Sequence, residues 1–210
     1  MKVVVGIATT GTRDESLAKT IDSLKGQVDE IRIYDNSKER IDLTDNGKFY
    51  FLAYYKDPVY YFSCDDDIIY PPDYVYKTIE AIEKHKCIVT YHGRILRGLN
   101  RNYYRGHSSF ACLHNYPQTM ELDVAGTGVT AFRTDYFNPT EIYKADEKRM
   151  SDLVFSLEAA KQGKKIIHIG HEAKWIRYIE QPKGTTIYEQ EVNSQTKQIE
   201  LANKIWLIKK

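Results

Sequence analysis

The sequence predicts an α/β domain in which a central sheet carries helices on both faces. Short apolar strands alternate along the chain with segments whose apolar residues recur at helical spacing. With 210 residues, 42 % of them hydrophobic, the chain is long enough for a substantial core and too apolar to be wholly disordered. We therefore expect a single domain over residues 1–210.

In the first part of the chain, four apolar segments are typical of strands and two segments are typical of helices. The predicted strands cover residues 2–8, 30–34, 59–64 and 87–91. Asp14 is expected to cap the first helix, which stops near Gly26, and Pro71 and Pro72 open the second. The polar stretch 37–48 and the aromatic segment 49–55 separate the second strand from the third.

The second part of the chain begins with residues 93–120, which have no sustained hydrophobic period and contain no Asp or Glu. This composition predicts a mobile loop. Beyond it we expect strands at 122–125, 129–133 and 165–169, a helix from 151 to about 163, and a C-terminal helix at about 187–208. The last helix is expected to pack on the domain or on a neighbouring molecule.

Composition excludes several classes of protein. The 30 basic and 29 acidic residues give a net charge of +1, which does not favour a nucleic-acid partner. No apolar run approaches the ~18 residues that a membrane span needs, and no signal peptide is recognisable. Three cysteines without metal-ligand spacing argue against a disulfide framework. We therefore expect a cytoplasmic protein without a membrane span.

Asp65, Asp66 and Asp67 are the strongest chemical signal, because they follow an apolar strand directly. Carboxylates so close together repel one another and raise each other's pKa unless a positive charge offsets them. A divalent cation does this, and oxygen ligands favour Mg²⁺ or Mn²⁺. Open α/β sheets also bind ligands at the carboxyl ends of their strands. The alternative is a solvated acidic turn.

Polar residues after the first two strands are candidate nucleotide ligands. Thr9, Thr10 and Arg13 offer hydroxyls and a guanidinium at the same predicted sheet edge as the aspartates. Asp35 ends the second strand, where its carboxylate can accept a hydrogen bond from a base or ribose. A plain Asx-turn at Asp35 is equally compatible with the local sequence.

Four further residues have a functional and a structural interpretation that local sequence does not separate. Asp152 is either a general base or the N-terminal charge of its helix. Arg94 and Arg97, in the segment free of acidic residues, either close over a diphosphate or are solvated. His171 either completes a metal shell or is a hydrogen-bonded histidine.

The order of these motifs resembles the GT-A fold of nucleotide-sugar-dependent glycosyltransferases, especially the family 2-like inverting enzymes. The resemblance runs from Val3 to about Trp175. Residues 31–37 resemble that family's second strand with its uracil-contacting Asp, residues 60–67 resemble the strand leading to the DxD motif, and residues 150–153 resemble the segment that carries the catalytic base. Compact size also resembles glycosyltransferase domains of large DNA viruses, which would place the protein in the host cytoplasm.

The resemblance implies a Rossmann-like central mixed sheet flanked by helices on both sides, with a nucleotide-binding half at about 1–92 and an acceptor and catalytic half at about 93–180. It assigns Asp35, Asp65 and Asp66 to the nucleotide, together with the loop of Thr9, Thr10 and Arg13. It assigns Asp67 and His171 to Mn²⁺ or Mg²⁺, and Asp152 to proton removal from the acceptor. Gly126, Thr127 and Gly128 would let the backbone approach the donor sugar, with Arg94 and Arg97 near its phosphates.

The predicted function is a metal-dependent transfer of a sugar, with inversion, from a nucleotide-diphosphate sugar to a glycan hydroxyl. UDP is the expected nucleotide, and further domains of a longer polypeptide are a possible context. Two departures affect the family pattern: residues 9–13 replace a loop that commonly contains Pro and Asn, and Ser151 stands where Glu is frequent. The alternatives are a sugar-nucleotide-forming nucleotidyltransferase, whose Gly-rich, Lys-containing loop is not found here, and a non-catalytic module that binds carbohydrate or nucleotide.

Overall fold

The computed structural model describes residues 1–193 and 195–210, in which twelve strands and five α-helices form. The strands are β1 (Val3–Thr9), β2 (Glu30–Asp35), β3 (Tyr60–Cys64), β4 (Ile68–Ile69), β5 (Ile88–Thr90), β6 (Gly93–Ile95), β7 (Ser108–Phe110), β8 (Met120–Leu122), β9 (Val124–Ala125), β10 (Val129–Arg133), β11 (Ile166–His168) and β12 (Arg177–Tyr178). The helices are α1 (Asp14–Leu24), α2 (Tyr74–His85), α3 (Ser151–Lys161), α4 (Ile187–Glu191) and α5 (Thr196–Lys209). Two 3₁₀ helices cover Thr44–Tyr54 and Ile142–Lys144.

Seven of the strands form one mixed sheet in the order β2-β1-β3-β10-β5-β11-β8. Strand β1 is parallel to both β2 and β3, whereas β10 is antiparallel to β3 and β5. Strand β11 is parallel to β5 and antiparallel to β8. Two small sheets, β7-β6-β9 and β12-β4, extend the structure beside it. The predicted mixed sheet is therefore confirmed.

Both faces of this sheet are covered, because successive residues of a strand point to opposite sides. In β1, Val5 and Ile7 belong to the core cluster that includes residues of α1 and α2. Val4, between them, belongs to a second cluster with Phe49 of the first 3₁₀ helix and Phe155 of α3. The helical layers on the two faces agree with the α/β class predicted from the sequence.

The start of α1 differs from the prediction. Arg13, not Asp14, occupies the N-cap position, and its side chain makes no capping hydrogen bond. Asp14 is instead the first helical residue, where its charge still favours the positive end of the helix dipole. Arg13 cannot serve as a side-chain cap, because a guanidinium has donors and no acceptor for the free backbone N–H groups.

Residues 93–120 contribute strands where the sequence predicts a loop. They contain β6 and β7 and the first residue of β8, and Gly93 of β6 lies opposite Phe110 on one side and Ala125 on the other. Strands of three residues are too short to show a hydrophobic period, and their pairing partners are distant in sequence. The local pattern therefore could not reveal them.

The C-terminal segment forms α4 and α5 instead of one helix, and α5 packs on the domain. Leu201 and Ile205 of α5 share a buried cluster with Leu153 and Ala160 of α3. Cys64, Cys87 and Cys112 are free and buried. In the part of the chain that the structure describes, every helix is too short or too polar to cross a membrane.

Candidate functional site

The parallel strands bring the polar candidates of the first half to one edge of the sheet. The last residue of β1, Thr9, lies opposite Asp35 at the end of β2. On the other side of β1, Ile7 lies opposite Cys64, the residue before the aspartates. The carboxyl ends of three neighbouring strands therefore lie side by side at this edge of the sheet, where open α/β sheets bind ligands.

Asp66 and Asp67 are buried, with 4 % and 5 % of their surface exposed, so the triplet is not a solvated acidic turn. The Nη1 of Arg13 donates to Asp66 at 2.8 Å and to Asp67 at 3.1 Å. The hydroxyl of Thr9 donates to Asp66 at 2.6 Å, and that of Tyr178 donates to Asp67 at 3.0 Å. Arg13 thus supplies part of the positive charge that we expected a bound divalent cation to provide.

This neutralisation is incomplete. Burial first, and then the charges of Asp65 and Asp66, raise the pKa of Asp67 to about 7, although Arg13 and the hydrogen bond from Tyr178 act in the opposite direction. Burial is the largest cause, and the neighbouring carboxylates add to it because, among the described residues, three aspartates share only two basic partners, Arg13 and Lys48. The triplet therefore has the electrostatic character of a site that attracts an additional cation.

Asp65, the most exposed member of the triplet, is held by Lys48, which the sequence analysis did not identify. Lys48 is only 2 % exposed, and its Nζ donates to Oδ1 of Asp65. Burial lowers the pKa of Lys48, but the charges of Asp65, Asp45 and Asp152 outweigh that effect and raise it. A lysine directly before an aromatic, apolar run was the available signal, because a charge in such a run is buried only when it is paired.

Gly128 packs closely against Asp65. A Cβ atom at this position would lie 2.1 Å from Oδ2 of Asp65, which is far inside van der Waals contact. The main chain between β9 and β10 can therefore pass directly over the carboxylate. Tyr70 fixes the same junction, since its hydroxyl donates to the carbonyl of Gly128 at 2.6 Å and accepts from the backbone N–H of Asp65 at 3.0 Å.

Asp152 lies in the first turn of α3 and faces the same loop. The backbone N–H and the hydroxyl of Thr127 each donate to Oδ1 of Asp152 at 2.7 Å. Burial raises the pKa of Asp152, whereas the hydrogen bonds from Thr127 and the charge of Lys48 act in the opposite direction. Gly128 packs against Asp65, and the preceding residue, Thr127, bonds to Asp152. Two consecutive residues thus connect the triplet to the candidate base.

Asp35 and Thr10 make local contacts at the rim of the site. The carboxylate of Asp35 accepts from the backbone N–H of Ser37 at 3.0 Å and from its hydroxyl at 2.6 Å, and it pairs with Lys38 at 2.8 Å. These contacts, that with Lys38 first, lower the pKa of Asp35. The Thr10 hydroxyl lies 3.0 Å from that of Thr12. The Asx-turn considered for Asp35 is present, and its nucleotide contact stays a prediction.

Arg94 and Arg97 are engaged outside the triplet. The guanidinium of Arg94 lies 5.0 Å from the ring centre of Tyr103 and 5.8 Å from that of Tyr104. The Nε of Arg97 donates to the hydroxyl of Ser108 at 2.8 Å, across the small sheet. Their predicted contact with a diphosphate stays a prediction.

His171 lies in a cluster of aromatic side chains. Its ring centre is 5.7 Å from that of Tyr91 and 5.3 Å from that of His168, and its Nδ1 lies 3.1 Å from the carbonyl oxygen of Glu172. Its buried Nε2 has no hydrogen-bond partner among the described residues. The polar side chains that bond to Asp67 are those of Arg13 and Tyr178, so the predicted pairing of His171 with Asp67 at a metal stays a prediction.

The aspartate triplet fits a divalent cation whose coordination shell is completed by phosphate oxygens and water. Across residues 1–193 and 195–210, no group of three or more His, Cys, Asp or Glu side chains is arranged to enclose a metal ion. Mg²⁺ and Mn²⁺ at phosphate-binding sites, however, need only one or two carboxylates, because phosphate oxygens and water complete the shell. The triplet has one aspartate more than its two basic partners, Arg13 and Lys48, and this excess of negative charge suits such a shared site.

Comparisons with known proteins do not identify the activity. No family model and no curated protein matches the sequence. Among solved structures, the chain is similar to A197 from STIV, at 14 % identity and a TM-score of 0.45, over 86 % of this chain and 87 % of that one. It is also similar to the inositol-1-phosphate CTP transferase from T. maritima, at 15 % identity and a TM-score of 0.39, over 94 % and 75 % of the two chains. Likenesses this weak carry no argument about function, which must come from the site.

Proposed function

We propose that the protein is a glycosyltransferase that moves a sugar from a nucleotide diphosphate, with UDP as the expected nucleotide, to a hydroxyl of a glycan acceptor. The observation that carries this proposal is the direct link between two carboxylate centres at one sheet edge. Gly128 packs on Asp65 of the triplet, and Thr127 bonds to Asp152. Transfer between two bound substrates needs such a pair of centres, one for the donor and one for the acceptor, in fixed relative positions.

In this proposal Asp152 is the general base. Both hydrogen bonds from Thr127 go to Oδ1, which leaves Oδ2 to take the proton of the acceptor hydroxyl. The acceptor oxygen then bonds to the anomeric carbon, and the bond from that carbon to the diphosphate oxygen breaks, its electron pair leaving with the nucleotide. Attack from the face opposite the leaving group inverts the anomeric configuration.

The donor would lie over the ends of β1, β2 and β3. Thr10, Asp35 and Asp65 are the candidates for direct contact with the nucleotide, because Thr9 and Asp66 are buried and bond to each other. Asp67 would hold Mn²⁺ or Mg²⁺ together with diphosphate oxygens. A cation bound there offsets the negative charge that develops on the leaving nucleotide.

The decisive experiment compares Asp152→Asn with the wild-type protein. We expect transfer from a UDP-sugar to fall by about 100-fold or more, the usual contribution of a general base. Calorimetric binding of UDP in the presence of Mn²⁺ should stay within about twofold, because the amide is isosteric and Asp152 contacts the acceptor, not the nucleotide, in this proposal. Glu158→Gln on the same helix, which replaces a carboxylate paired with Lys161, is the control and should leave transfer unchanged. Transfer that survives in Asp152→Asn would refute the assignment of the base.

The same assays separate the alternatives. Formation of pyrophosphate from UTP and a sugar phosphate would favour a nucleotidyltransferase. Binding of UDP-sugars without release of UDP, across a panel of sugars and acceptors with Mn²⁺, would favour a non-catalytic binding module.

A further inference from the structure

Lys48 is a buried cation whose surroundings go beyond a simple ion pair. A buried ammonium is costly unless its charge and its hydrogen bonds are satisfied. Its Nζ donates to Asp65, and its backbone carbonyl accepts from the hydroxyl of Tyr61 at 2.6 Å. Gly6 of β1 permits this close approach, because a Cβ there would lie 2.1 Å from the carbonyl oxygen of Lys48. Lys48 is therefore fixed by a hydrogen bond to its backbone carbonyl as well as by the ion pair of its ammonium group.

The turn that carries Lys48 also holds the start of α3. Three hydrogen bonds join the two segments: Arg149 N–H to the Thr44 hydroxyl at 3.1 Å, Ser151 N–H to the Asp45 carboxylate at 2.9 Å, and the Asn46 amide to the Glu147 carbonyl at 3.0 Å. Ser151 immediately precedes Asp152, so the position of the candidate base depends on this turn. One short segment thus reaches both the triplet and the base.

The charges around Asp152 give Lys48 a distinct electrostatic role. Lys48 from the 3₁₀ helix and Asp65 after β3 act on the pKa of Asp152, and the charge of Asp152 in turn raises the pKa values of the Tyr103 and Tyr104 phenols, from the segment between β6 and β7. Arg94 stacks on both phenols. Burial and Asp65 favour the protonated form of Asp152, whereas Lys48 favours the carboxylate.

We propose that Lys48 is a positioning residue that ties the triplet to the start of α3 and keeps Asp152 in the carboxylate form that can accept a proton. This proposal rests on the proposed function only in one respect, which is the assignment of Asp152 as the general base. Its effect on the ionisation of Asp152 is a property of the free protein and can be measured without any substrate.

The test is a carboxyl ¹³C NMR titration of Asp152 in protein labelled at aspartate, with Asp152→Asn used to assign the resonance. In Lys48→Met we expect the pKa of Asp152 to rise by about one unit, which is a tenfold loss of carboxylate at a pH below the pKa. Lys48→Arg, which keeps the charge, should give a lower pKa than Lys48→Met. Lys77→Met removes an exposed lysine that pairs with Asp73 on another helix and should leave the pKa of Asp152 unchanged. An unchanged value in a folded Lys48→Met protein would overturn the proposal.

A second variant covers the case in which Lys48→Met does not fold. Asp65→Asn removes a like charge from Asp152 and leaves Lys48 with one acidic neighbour fewer. The pKa of Asp152 should then fall, and an unchanged pKa would show that charges at the junction of Lys48 and Asp65 do not reach Asp152, which would overturn the proposal. In transfer assays, the acidic limb of the kcat/KM profile should move to higher pH in Lys48→Met by the shift that NMR records. An NMR shift in a protein without transfer activity would refute the proposed function and leave the role of Lys48 intact.

Discussion

At the scale of single residues, the site depends on close approaches that few side chains allow. Gly128 lets the main chain cross Asp65, and Arg13 spans two carboxylates with one guanidinium nitrogen. These contacts hold like charges near one another, so each of them stabilises an arrangement that the aspartates alone would disfavour. Small changes in side-chain volume here should affect both stability and binding.

Gly128→Ala should lower the free energy of unfolding by about 1–3 kcal/mol, the usual cost of inserting an extra methyl group into a packed site. The added Cβ must displace the carboxylate of Asp65 from its contact with Lys48. Urea denaturation at neutral pH measures the change. In the double variant Asp65→Ser/Gly128→Ala, the loss of unfolding free energy should be smaller than the sum of the losses in the two single variants, because the smaller side chain at position 65 removes the collision. Simple additivity would show that Asp65 is not what Gly128 accommodates.

At the scale of secondary-structure elements, polar contacts fix helices relative to the sheet. Glu83 on α2 accepts hydrogen bonds from the Tyr60 hydroxyl of β3 and from Arg133 of β10, both at 2.7 Å, and pairs with Lys86. These partners, Lys86 and Arg133 first, lower the pKa of Glu83 to about 2. One carboxylate therefore connects α2 to two adjacent strands.

Glu83→Gln should lower the free energy of unfolding by about 1 kcal/mol at neutral pH, a value reduced for solvent screening because the side chain is partly exposed. The folded-state pKa lies below the unfolded value of 4.5, so this stabilisation is complete above pH 4.5 and is lost as pH falls towards 2. Denaturation curves from pH 7 to pH 3 should show the difference between wild type and variant shrinking. Glu80→Gln, on the same helix and bonded to Tyr76 within it, should show no comparable trend.

At the scale of the whole molecule, the chain is nearly neutral while one sheet edge gathers acidic groups. The net charge is +1, yet Asp65, Asp66 and Asp67 lie together with two basic side chains, Arg13 and Lys48. A local excess of negative charge in a neutral molecule favours ligands that bring a cation with them. Nucleotide and cation should therefore bind in a mutually dependent way.

Thermal unfolding tests this dependence. Mn²⁺ and UDP together, each at about 100 times the dissociation constant, should raise the Tm by about 5 °C or more, because binding at that excess contributes about 2.7 kcal/mol. Either ligand alone should give a clearly smaller shift. In Asp67→Asn the joint effect should largely disappear. An equal shift with UDP alone would show that the triplet does not act through a cation.

Local sequence patterns specify the alternation of strands and helices, the two-sided core and the position of the aspartates at a strand end. These follow from local hydrophobic patterns, which act over a few residues. Tertiary structure alone decided that Arg13 bonds to Asp66 and Asp67, that Lys48 bonds to Asp65, and that residues 93–120 contribute strands. The charge pairs join residues 17 to 54 positions apart, and the short strands depend on partners elsewhere in the chain. A local pattern contains no information on such partners, because they meet only when the sheet and its helices have packed.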